Sequence, residues 1–135
     1  MGDGILELAA RQHGLLSRPQ AVAAGLSEHQ IHRRVSAGHW ERVLPNVYRV
    51  HGAARTWLGE LQAAALWAGA NGALSHGAAA AWWGFSRFES APPELTLLDR
   101  RKPPPRVKSH SADAFAPGEV VLLRGLRVTS RLRTL

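Results

Sequence analysis

The chain has 135 residues, 45% hydrophobic and 20% charged, no cysteine, and 17 Lys and Arg against 10 Asp and Glu, a net charge of +7. Such a length suits one ordinary domain or two very small ones with a buried core, and the composition excludes a disordered polymer, a disulfide framework and a thiolate metal site. The positive balance favours polyanionic partners, nucleic acid first and an acidic protein or membrane surface second; fifteen of the bases are arginines, whose guanidinium suits phosphate and guanine.

The start, MGDGILELAARQHG, has neither the cationic nor the apolar region of a signal peptide, and no apolar run reaches membrane-spanning length. A soluble, cytoplasmic, nucleoid-associated protein with no membrane partner is therefore expected. In the same stretch Ile5, Leu8, Ala9 and Gln12 recur at helical spacing, with Asp3 near the positive end of the dipole and Gly14 as a stop.

An internal echo follows. LSRPQ from Leu16 and LSEHQ from Leu26 both carry the pattern of a capping box, in which a serine hydroxyl accepts from the backbone while a glutamine three residues on reaches back. Ser17 and Ser27 are the caps, Leu16 and Leu26 precede them, and Ala21 and Ile31 stand where a hydrophobic staple needs an apolar partner. Pro19 lies in a first turn, where its missing N–H costs little. Two short helices over about 18–24 and 28–37, joined by a tight turn at Gly25, make a helix-turn-helix.

On the second of these helices Ile31 and Val35 share the buried side. His29, His32, Arg33 and Ser36 project from the other, with Gln30 and Arg34 on the flanks. Guanidinium, amide and hydroxyl groups on one exposed face are what a DNA major groove recognises; a solvated face in a small bundle is the competing reading. Gly38 stops the helix, and HWERV and VYRV then flank LPN, where Pro45 presets a turn and Asn46 accepts its second corner. Three helices and a hairpin make a winged helix. Arg42 and Arg49 on the wing are expected near phosphates, as are Ser17 and Ser27 through their helix starts, while Trp40 and Tyr48 pack the hairpin core.

Residues 16–50, read as LLSRPQAVAAGLSEHQIHRRVSAGHWERVLPNVYRV, resemble the N-terminal winged-helix domain of the AbiEi family of antitoxins and related actinobacterial regulators. LSHGAAAAWWGF over 74–85 is similar to the small-residue helix that follows in that family, and LRVTSRLRTL over 126–135 to the segment leading into its later helix. The resemblance implies a winged helix that binds promoter DNA and represses its own operon, with a cognate nucleotidyltransferase-like toxin as a further partner of a monomer or weak dimer. The family's C-terminal portion, toxin-opposing or endonuclease-like, is expected to be missing from this sequence, which stops at Leu135 in the first turn of its last expected helix.

The second region opens with TWLGELQAAALWAG, a helix capped by Thr56 with Trp57, Leu61 and Ala64 or Ala65 at core spacing. Asn71 and Gly72 turn the chain into an alanine-rich helix over 75–83, and strands are expected over 94–98, 106–110, 119–123 and 126–130. A further helix is expected to begin at Thr129 or Ser130. The loop DRRKPPPR over 99–106 reads either as a solvated turn extension or as an auxiliary backbone contact. The whole is thus expected to be α+β, a winged helix-turn-helix over 1–53 followed by a small helix-plus-antiparallel-sheet subdomain over 54–135.

Catalysis finds little support, and neither an enzyme nor a cofactor is expected. Glu94 and Asp99, five apart in a strand and its exit, do not share a face. His29 and His32 are three apart on a helix without a third ligand, so no metal centre is expected. His76 beside Ser75 reads as a first-turn residue, and no Gly-rich phosphate loop is present. A double-stranded-DNA-binding transcriptional regulator is the favoured reading. A protein-interaction module using the alanine and tryptophan helices, and the DNA-docking part of a nuclease-like protein, are the alternatives.

Overall fold

The computed structural model describes residues 3–85 and 92–130. They divide into two compact units, Met1–Trp67 and Ala68–Leu135.

In the first unit, α1 (Asp3–Arg11) is followed by β1 (Leu15–Ser17), α2 (Arg18–Ala23), α3 (Glu28–Ser36), the hairpin of β2 (Trp40–Leu44) and β3 (Val47–Val50), and α4 (Trp57–Ala68), all but the last residue of which belongs here. Both capping boxes are formed. Gln20 N donates to Ser17 Oγ at 3.2 Å and Ser17 N to Gln20 Oε1 at 3.0 Å; Gln30 N donates to Ser27 Oγ at 3.1 Å and Ser27 N to Gln30 Oε1 at 2.8 Å. Gln12 extends the first box, exchanging hydrogen bonds of 3.0 and 2.9 Å with Gln20 and so tying the end of α1 to α2.

The three-stranded sheet runs β1-β3-β2, antiparallel throughout. Strand β1 has no pattern of its own, being three residues that follow a stop and end in a cap. It is extended because Leu15, Leu16 and Ser17 pair with Arg49, Tyr48 and Val47. Gly14 permits this entry: its φ is +81°, and a Cβ there would stand 2.3 Å from that of Ala53.

The alternation of the strands feeds two apolar layers. Leu16, Trp40 and Tyr48 join Ile5, Ala9, Ala21, Leu26 and Ile31 in one cluster, while Leu15 and Val47 pack with Ala63 of α4 in another. Hydrophobic burial on both sides of so small a sheet is the dominant favourable term holding the unit together.

In the second unit the chain passes from α4 through a 3₁₀ turn at Gly69–Asn71 into β4 (Gly72–Leu74), then α5 (His76–Trp82), β5 (Glu94–Leu97), β6 (Lys108–Ser111), β7 (Val120–Leu123) and β8 (Leu126–Thr129). The α+β class holds, but the expected antiparallel sheet is mixed. Its order is β6-β5-β4-β8-β7, and the β5 with β6 and β4 with β8 pairings are parallel. The physical cause is the long connection: a parallel return needs a crossover of roughly a dozen residues, and the proline-stiffened stretch after β5 spans about 3.1 Å per residue, enough to carry the chain back to the start of its neighbour. Within that stretch Arg101 donates to Asp99 and to Ala68 O, while Arg100, Lys102 and Arg106 are exposed. Strand β4 was not expected; like β1 it is three residues long and is specified by its neighbours β5 and β8.

Ala78, Ala79, Ala80 and Ala81 of α5 are buried, as the small-residue pattern anticipates, and Thr56 Oγ1 caps α4 by accepting from Gly59 N at 2.9 Å. The helix expected to begin near Ser130 falls outside the described residues.

Candidate nucleic-acid interface

Helix α3 is seated by Ile31, 1% exposed, with Val35 packed against the same cluster. This fixes which side faces outward. His29, His32, Arg33 and Ser36 are exposed, and Gln30 and Arg34 are half-buried on the flanks. His29 and Arg33 have no hydrogen-bond or ion-pair partner among the described residues, and Ser36 Oγ approaches His32 Nε2 at 3.3 Å. The carbonyl oxygen of the Gln30 side chain is spent on the Ser27 cap, which leaves its NH₂ as the group able to act outward.

The guanidinium of Arg34 lies 5.3 Å over the ring of Trp40, which is itself 5.7 Å from Tyr48, so this arginine is held beside the helix by a cation–π contact. An open depression lined by Gln30, Arg33, Arg34, Ala37 and His39 runs along this end of α3. His39 was no candidate from the sequence. Gly38, with φ +80°, turns the chain back after the helix, and His39 N donates to Arg34 O at 2.9 Å, bringing the imidazole alongside the arginines.

The serines differ. Ser17 is buried and its hydroxyl accepts within the α2 cap, whereas Ser27 is exposed at the start of α3. Beside it Arg18 forms an ion pair of 2.5 Å with Glu28, and hydrogen bonding to Glu28 and then to Tyr48 raises its pKa.

On the wing the pairing register decides direction. Arg42 stands opposite Tyr48 and Arg49 opposite Glu41. Since successive side chains of a strand point to opposite faces, Arg42 shares the face of Trp40 and Tyr48, the face on which α3 packs, and Arg49 occupies the other. Arg42 is exposed and unpaired among the described residues. Arg49 is only 15% exposed and donates to Glu41 Oε2 at 3.0 Å, while Arg55 donates to Oε1 of the same carboxylate at 3.0 Å. Asn46 takes the left-handed corner of the hairpin with φ +61°, as a type of residue that tolerates it.

The hydrogen bond from Arg49, assisted by attraction to Arg49 and Arg55 and opposed by desolvation, holds the Glu41 carboxyl below the usual carboxylate range. A depressed pKa means that the unfolded chain binds the proton more readily, so the brace stabilises the fold above about pH 4.3 and is lost as pH falls through the lower folded value. Glu41→Gln should therefore lower the melting temperature at pH 7, and the gap between variant and parent should close as the pH is taken to 3. Melting curves over that range would contradict the assignment if the gap stayed constant.

Among the described residues no helix is long and apolar enough to cross a membrane. Residues 4–51 match the family model described as "Transcriptional regulator, AbiEi antitoxin". The matched segment spans α1 through the wing. No curated protein matches the chain.

Proposed function

We propose, on the match of residues 4–51 to the AbiEi antitoxin transcriptional regulators, that the chain binds a specific double-stranded DNA site through α3 and the α3-facing side of the wing, and represses the operon containing its own gene. The observation that carries this reading is the division of α3: Ile31 is sealed in the core while Arg33 and His29 stand outward without a protein partner. Arg33, Gln30 and His29 then read base edges, with His32, Arg34 and Ser36 at the margins of the groove. Arg42 contacts phosphate from the wing. Arg49 supports the wing through Glu41, and Ser17 and Ser27 present helix starts. We assign this activity to residues 1–53 and action by binding, not catalysis, to the chain. A cognate toxin is proposed as a second partner on the same family reading.

Selection of bound duplexes from a random pool supplies the site and the first test, since recovery without an enriched motif would refute sequence-specific binding. On the selected site Arg33→Ala should cost about 1–3 kcal/mol and relax the base preference at one position. Arg42→Ala should weaken all sequences alike and reduce the slope of log K against log salt by about one. Arg49→Ala should leave that slope near the parent's while lowering thermal stability. Equal, sequence-independent losses for Arg33→Ala and Arg42→Ala would reject α3 as the reading element.

A further inference from the structure

We propose that His76, Glu94 and His110 form a site for one divalent first-row transition-metal ion, for which zinc is the probe. One ligand atom from each lies within 4.8 Å of the other two, a grouping unique among the described residues. They come from three segments: His76 opens α5, Glu94 opens β5, and His110 lies within the edge strand β6. The parallel register sets Thr96 opposite His110, and Glu94, two residues before Thr96, points to the same face. Ser75 N donates to Glu94 O at 3.0 Å, which fixes the start of α5 above that carboxylate.

The imidazoles are stacked, with centroids 4.0 Å apart and planes 29° from parallel. His110 Nε2–H donates to Glu94 Oε2 at 2.6 Å, and His76 Nδ1 is 3.9 Å from the same oxygen. These two separations straddle the value of about 3.3 Å between ligand atoms around a tetrahedral zinc with bonds of 2.0–2.1 Å, so small side-chain rotations complete the set. His76 adopts φ +54°, an unusual backbone state for a residue other than glycine. Its Nδ1 also approaches Ser75 Oγ at 3.0 Å, a contact that gives way when the same nitrogen turns to the ion. The carboxylate is 17% exposed, whereas the histidines are 52% and 45% exposed, so an ion held here keeps an outward position open to water or another ligand. Two imidazoles and one carboxylate suit zinc and its neighbours, while magnesium and calcium require oxygen ligands. Such an ion would join the edge strand β6 to β5 and to the start of α5.

The test is titration of the untagged full chain, freed of metal with a chelator, by zinc chloride in a calorimeter, with thermal melting in parallel. One zinc per chain and a raised melting temperature are expected, with no response to magnesium. His110→Ala and Glu94→Gln, confirmed folded by circular dichroism, should each weaken zinc at least tenfold, whereas a variant combining His29→Ala with His32→Ala should bind as the parent does. Absence of zinc binding, an equal magnesium response, or undiminished stoichiometric binding by His110→Ala would overturn the site.

Discussion

Trp40→Ala should lower the stability of the first unit by about 3–5 kcal/mol, a large part of the 5–15 kcal/mol that separates folded from unfolded domains. The indole is 2% exposed and belongs to the cluster that also holds Ile31 of α3 and Ile5 and Ala9 of α1. It begins β2 opposite Val50 and carries Arg34 over its ring, so one side chain joins the wing to the flank of α3. Its removal leaves a cavity that the surrounding helices and hairpin can close only partly, and it strips Arg34 of its cation–π partner. For a slope of about 2 kcal/mol per molar urea, the unfolding midpoint should drop by about 2 M. DNA affinity should fall with it. Trp40→Phe, which keeps an aromatic ring in the same layer, should lose less of both. An unchanged midpoint for Trp40→Ala would mean that the wing is not mounted on α3 through this residue.

In the second unit the corresponding position is Trp82. It is 2% exposed, its Nε1–H donates to Leu123 O at 2.8 Å, and the guanidinium of Arg124 lies 4.9 Å over its ring while donating to its carbonyl oxygen. Trp82→Ala should cost about 3–5 kcal/mol through the lost volume, with a further contribution from the carbonyl of Leu123 left without this donor. Trp82→Phe separates the two effects, retaining most of the apolar volume and losing only the donor. Because Leu123 ends β7, where it pairs with Leu126 of β8, the damage should be local as well as global. Amide exchange in Val120–Leu123 and Leu126–Thr129 should accelerate in Trp82→Ala beyond the change elsewhere in the sheet. Unaltered exchange in those strands would show that α5 is not anchored to the β7 and β8 hairpin by this ring.

Much of the first unit was legible in the order of residues because its signals are local. A serine followed three residues later by glutamine satisfies helix-end donors without help from distant parts of the chain, and both boxes formed as the echo at Leu16 and Leu26 implied. Gly25, Gly38 and Asn46 took the left-handed conformations their turns require. The inner and outer faces of α3 followed from a spacing of four between Ile31 and Val35. The resemblance over residues 16–50 added the regulator reading, which the family match over 4–51 supports.

What sequence order alone could not settle depends on partners far along the chain. Strands β1 and β4 are three residues each, too short to show a period, and exist through their pairing with β3, β5 and β8. The direction of β6 beside β5 was fixed by a crossover whose course no local pattern encodes. The inequality of Arg42 and Arg49 required the register of the hairpin, since a shift of one residue exchanges the faces of a strand. Most distant of all, His76, Glu94 and His110 are separated by 18 and 16 positions and share no motif, and only the meeting of a helix start with two neighbouring strands places their ligand atoms within reach of one ion.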